Sequence, residues 1–120
     1  MAHRFVRSAR LLKPGEFDAA FASGVRVTEK CFSAVACSNS LQHPRLGLAI
    51  SKKAVPLSVG RNRIKRQVRE SFRKQQRDLP TADIVISARP SAKQASLNEM
   101  RAALSGVWLK IARAFPAAGS

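Results

Sequence analysis

Eleven residues, GRNRIKRQVRE at 60–70, carry the densest chemistry in the chain: Arg61, Arg63, Lys65, Arg66 and Arg69 are cations, and Glu70 is the one acid. Placed on a helix, Arg61, Lys65, Arg69, Arg73 and Arg77 recur every four residues as a basic stripe, widened by Arg63, Arg66 and Lys74. Like charges at i,i+4 cost an isolated helix roughly a few tenths of a kcal/mol per pair, so something outside the helix must offset the repulsion. Between Lys52 and Arg77 stand ten basic residues and one acid, most of the chain's formal charge of +15. An ordinary solvated face mixes its signs. This one does not, and phosphate binding is the stronger reading. Arginine's planar fork takes phosphate bidentately and stacks on bases. Asn62, among the arginines, fits a plain cap-region residue and a side chain that reads RNA polar groups equally well. Lys52 and Lys53 lie just upstream and could reach the same backbone.

Other chemistries find less support. His3 and His43 are the only histidines, and neither has an acid or cysteine at metal-ligand spacing. The seven acids form no pair that two metal ions could share. The expectation is a protein with no catalytic residue, metal or small-molecule substrate of its own. Cys31 and Cys37 match no zinc pattern and read as reduced thiols on a strand. The longest apolar runs fall far short of the ~20 residues needed to span a bilayer. No apolar segment follows the N-terminal basic residues, as a signal peptide would require, so a cytoplasmic protein without a membrane partner is expected. No helix-turn-helix, zinc-finger or basic-zipper pattern favours DNA, although charge alone does not separate RNA from DNA.

The elements that must position this helix follow from periodicity. The 120 residues suit one domain, with a basic arm over 1–12, a folded body over 13–115 and a tail over 116–120. Pro14, Glu16 and Asp18 suit a helix start and Gly24 a helix end. That predicts a helix over about 14–23 with Phe17, Ala20 and Phe21 on its apolar face. Residues 25–39 read as strand, with Cys31, Ser33, Val35 and Cys37 on one face and a further short strand possible at 25–28. RLGLAIS at 45–51 alternates, and the two strands predict an antiparallel hairpin. Pro56 marks a connector. The basic helix spans about 60–78, with Ile64, Val68 and Phe72 as its apolar stripe; on the solvated-face reading Arg66–Glu70 or Glu70–Lys74 would be ordinary i,i+4 pairs. ADIVISAR at 82–89 is a strand. Ser96 and Glu99 make a capping box for a last helix whose stripe includes Met100, Leu104, Val107, Trp108 and Ile111. The class is α+β, in the order α-β-β-(β)-α-β-α.

RLGLAISKK, then RNRIKRQVRESFR, then DIVISARP, with the KPGEFDAAFASG opening, closely resemble the protein subunit of bacterial ribonuclease P from about Arg10 to Trp108. The resemblance implies a small four-stranded, mostly antiparallel sheet with three helices and a left-handed β-α-β crossover. It implies an endoribonuclease holoenzyme that removes the 5′ leader of precursor tRNA. In that family the RNA subunit, expected here at 1:1, is the catalyst, and magnesium is bound by that RNA and the substrate rather than by the protein alone. By resemblance, Lys52, Lys53, Arg61, Asn62, Arg63, Lys65, Arg66, Arg69 and Arg73 face the catalytic RNA. Phe17, Phe21, Ser33 and Val35 correspond to the leader-binding cleft, with Val35 standing where some members carry an aromatic. The residues themselves leave Phe17 and Phe21 open between core packing and a mixed role. A structural RNA-binding protein of ribosomal type is the alternative that composition allows equally.

Overall fold

The structure is a computed structural model and describes residues 24–38 and 43–115. The basic arm, the helix expected at 14–23 with Phe17 and Phe21, His3 and the tail lie outside the described residues. The elements run β1 (Val25–Thr28), β2 (Phe32–Ser38), β3 (Arg45–Ala49), α1 (Ser58–Gln75), β4 (Ala82–Ala88) and α2 (Leu97–Ala114). Short 3-10 turns follow α1 at Gln76–Asp78 and precede α2 at Pro90–Gln94. The basic helix therefore starts two residues before the expected position and gives way to the 3-10 turn at Gln76.

The four strands form one mixed sheet in the order β1-β2-β4-β3, with β2 antiparallel to β1 and β4, and β3 parallel to β4. The expected β2–β3 hairpin does not form, because β4 lies between the two strands. The reason is visible in β4 itself: Ile84 and Ile86 on one face and Val85 on the other are all fully buried. A strand apolar on both faces belongs at the centre of a sheet, with a neighbour on each side. Leu46 and Ala36 flank Ile84, and Leu48 and Ala34 flank Ile86.

One sheet face carries the main core. Phe32, Ala34, Ala36, Leu46, Ile84 and Ile86 meet Ile64, Val68 and Phe72 of α1 and the apolar stripe of α2. The helices meet at Phe72 and Trp108, whose rings pack edge to face with centroids 6.0 Å apart. The Trp108 indole N–H donates to Ser71 Oγ at 2.7 Å, so the one polar atom of the seam is satisfied.

The long strand expected over 25–39 breaks at a tight turn. Cys31 takes a left-handed conformation, φ 75°, at the turn that returns β1 into β2. It therefore does not sit on the strand face with Ser33, Val35 and Cys37. A side chain in that region costs about 1–2 kcal/mol, and the surroundings hold it there. The Cys31 N–H donates to Ser91 Oγ, its carbonyl accepts from the Arg89 N–H, and its thiol is buried and free. The same turn is pinned to α2. Lys110 pairs with Glu29 and donates to the Thr28 carbonyl, and Lys30 pairs with Glu99. Gly106 makes room for this, since a Cβ there would stand 2.7 Å from the Glu29 carboxyl carbon.

Candidate nucleic-acid interface

Burial of Ile64, Val68 and Phe72 fixes the rotation of α1 about its axis. At about 100° per residue, Lys65 lies at the flank, while Asn62, Arg63 and Arg66 point away from the sheet. All three are exposed. Arg63, Lys65 and Arg66 make no hydrogen bond or ion pair among the described residues. An open groove lined by Asn62, Arg66, Arg69, Glu70 and Arg73 runs along this face. The cations here are presented to solvent, as a surface for a polyanion requires.

Arg61 also has a structural task. It lies half-buried, one turn before Ile64, and its Nη1 donates to the carbonyls of Val55 and Pro56 at 3.0 and 2.7 Å. It thus clasps the connector against the first turn of the helix. Gly60 permits the same approach, because a Cβ there would lie 3.0 Å from Val55 Cγ1. The connector is itself a closed turn, with the Ala54 N–H donating to Ser51 Oγ and the Val55 N–H to the Ser51 carbonyl. Lys52 and Lys53 are exposed on it. They stand upstream of the helix start through the Arg61 clasp.

Arg73 is also engaged. Its guanidinium forks onto the Glu70 carboxylate, three residues back, and the pairing holds Glu70 below and Arg73 above its ordinary pKa. Glu70 thus takes Arg73 rather than either i,i+4 partner that a solvated face would offer, Arg66 or Lys74, and Arg66 keeps its charge uncompensated. The start of α1 adds to the positive field. Leu57 supplies no side-chain cap, and no acid lies in the first turn. The first N–H groups of the helix are therefore left without a side-chain acceptor, at the positive end of its dipole.

The opposite sheet face carries Ser33, half-buried, and Val35, 3% exposed. Beside them Arg45 grips Asp83 with two bonds, Nε to Oδ1 at 2.8 Å and Nη2 to Oδ2 at 2.7 Å. Asp83 is the one buried charged residue among those described. Sequence reasoning missed this pair, although a lone acid inside the apolar run ADIVISA was the signal. The Cys37 thiol is pushed up by burial and by the nearby Asp83 charge. Among the described residues no three of His, Cys, Asp and Glu cluster as metal ligands, and no helix is long and apolar enough to cross a membrane.

Comparison with known proteins extends along nearly the whole chain. The family model for ribonuclease P matches residues 5–112. The ribonuclease P protein component of Aliivibrio fischeri is 42% identical over 113 residues, covering 94% of this chain and 97% of that protein. That of Nitrosococcus oceani is 41% identical over 109 residues, covering 91% and 92%. Among solved structures, the Staphylococcus aureus RNase P protein superposes with a TM-score of 0.81 at 34% identity, covering 89% of this chain and 97% of that one. The Thermotoga maritima RNase P protein gives 0.76 at 26%, covering 85% and 96%.

Proposed function

The chain belongs to the ribonuclease P protein family, and we propose that it serves as the protein subunit of that endoribonuclease, binding the catalytic RNA and the 5′ leader of precursor tRNA. The observation that carries this reading is the solvent side of α1, where Arg63 and Arg66 on the outward face and Lys65 at its flank stand without partners among the described residues, while Ile64, Val68 and Phe72 lock the inward face to the sheet. These cations neutralise RNA phosphates. Arg69, Arg73, Lys52 and Lys53 extend the contact, and Asn62 lies within it. Arg61 holds the connector that carries the two lysines. The leader is assigned to the other sheet face, where Ser33 is half-buried at the surface and Val35, 3% exposed, lies beneath it; Phe17 and Phe21 are assigned to the same task. The RNA and its substrate hold the magnesium that cleavage needs, and this chain's residues bind and orient.

The hand of the β3–α1–β4 connection supports the assignment. Arg89 N–H donates to the Cys31 carbonyl, so residues 83, 85 and 87 turn their peptide groups to β2, and Ile84 and Ile86 turn theirs to β3. In a strand of L residues running upward, a residue whose side chain points to the viewer has its peptide groups on the right. Seen from the helices, β3 is then to the right of β4. The chain passes in front from β3 to β4, leftward, which is a left-handed crossover. About 98% of such connections run the other way, so this hand is a specific trait to share with the family implied by the motifs.

The test is reconstitution with the ribonuclease P RNA of the same genome and a precursor tRNA at low magnesium. The protein should accelerate 5′ cleavage over the RNA alone and cleave nothing by itself. No gain over the RNA alone would refute the reading.

A further inference from the structure

A second groove, of about 410 Å³, lies on the other flank of α1, where the helix passes the start of α2. Its walls differ from those of the basic face. Val59 and Leu97 are apolar and yet 78% and 38% exposed. Asn62 and Gln67 bring side-chain amides, and Arg63 and Arg66 stand at the rim without partners. Exposed apolar side chains beside so many cations are not explained by phosphate neutralisation, which needs only cations. They are explained by a ligand that is charged along one edge and flat and apolar along another. An unpaired nucleotide has that form. Its base offers two apolar faces and an edge of donors and acceptors, and its phosphates offer charge.

We propose that this groove holds one unpaired nucleotide of the RNA partner. Its base packs against Val59 and Leu97, its edge meets the amides of Asn62 and Gln67, and its flanking phosphates lie at Arg63 and Arg66. The proposal rests on the reading of the chain as a ribonuclease P subunit. It adds base contact, and therefore selectivity for a single-stranded position, to a surface that charge alone would make indifferent to sequence.

The probe is the ribonuclease P RNA of the same genome, titrated against wild type, Val59→Ser, Leu97→Ser and, as a control elsewhere on α2, Leu109→Ser. Val59→Ser should weaken binding roughly tenfold, the loss expected for about two buried methyl groups, with the dependence on salt unchanged because no phosphate contact is removed. Leu97→Ser should lose less, and Leu109→Ser nothing. Acylation of RNA 2′-hydroxyls should show a single-stranded nucleotide that wild type protects and Val59→Ser releases. Making that nucleotide abasic should cost wild type more than it costs Val59→Ser, in which part of the base contact is already gone. Binding of Val59→Ser and Leu97→Ser within twofold of wild type would overturn the groove while leaving the function intact. So would altered self-association of the protein with unaltered RNA affinity, which would make the groove a protein contact. Failure of wild type to bind the RNA would instead overturn the function, and the groove with it.

Discussion

Helices α1 and α2 each run 18 residues and meet at the Phe72–Trp108 seam, but they are held by different means. In α2 the first turn is closed. Ser96 Oγ accepts from the Glu99 N–H, Glu99 Oε1 accepts from the Ser96 N–H, and Glu99 Oε2 takes Lys30. Six residues of α2 are buried. In α1 three are buried, the first turn lacks a side-chain cap, and the outward face is rich in cations. The difference teaches where function sits. The helix with a closed first turn and a wide apolar stripe stabilises the domain. The helix with an uncapped first turn and one narrow stripe keeps its charge and its first N–H groups available, and depends on the other to stay folded.

The largest test of that dependence is Phe72→Ala. Phe72 is fully buried, and its loss should cost about 3–5 kcal/mol, read from urea denaturation. A cost below about 1 kcal/mol would show that the seam does not hold α1. The ends come next. Ser96→Ala should destabilise by about 1 kcal/mol, and Leu57→Ser, which gives α1 the cap it lacks, should stabilise by a similar amount. Leu57→Asp should stabilise too while weakening RNA binding, because it sets a carboxylate at the basic end. If Leu57→Ser gains nothing, the contrast between the two starts is not energetic.

The smallest effect is acid sensitivity of the α2 cap. The Ser96 N–H, then Lys30, lower the Glu99 carboxyl from 4.5 to about 2. A depressed carboxyl stabilises the fold above its unfolded pKa, and that contribution fades as pH falls from about 4.5 toward about 2. Glu99→Gln should lose this part of the pH dependence in thermal melts. An identical acid profile in the variant would remove Glu99 from the account.

Much of this was legible in the sequence because it was local. Ser96 and Glu99 announced the start of α2 through a three-residue spacing, and Ile64, Val68 and Phe72 gave the buried stripe of α1 through a four-residue one. What escaped was set by residues distant in the chain. Strand order depends on β4 being apolar on both faces, which neither β2 nor β3 reveals, so the two were read as neighbours. The turn at Cys31 depends on Ser91, 60 residues away. The division of labour among the arginines depends on rotation and on the connector. An even four-residue repeat made Arg61 look equivalent to Lys65 and Arg69, whereas its Nη1 also holds the carbonyls of Val55 and Pro56. Glu70 chose Arg73 over the i,i+4 partners for a similar reason, since the three-residue step brings the guanidinium fork onto both carboxylate oxygens. Phe17 and Phe21, expected at a leader cleft, lie outside the described residues.

The central claim is that the outward charge of α1 exists for RNA phosphates. The salt dependence of binding to the ribonuclease P RNA tests it most directly. Relative to wild type, Arg63→Ala and Arg66→Ala should each flatten the slope of log affinity against log salt by about 0.7–0.9. Arg61→Ala should leave the slope near the wild-type value and lower the melting temperature instead, since it loses the clasp on the connector. Slopes for Arg63→Ala and Arg66→Ala equal to that of wild type would contradict the claim and return both arginines to a solvated surface.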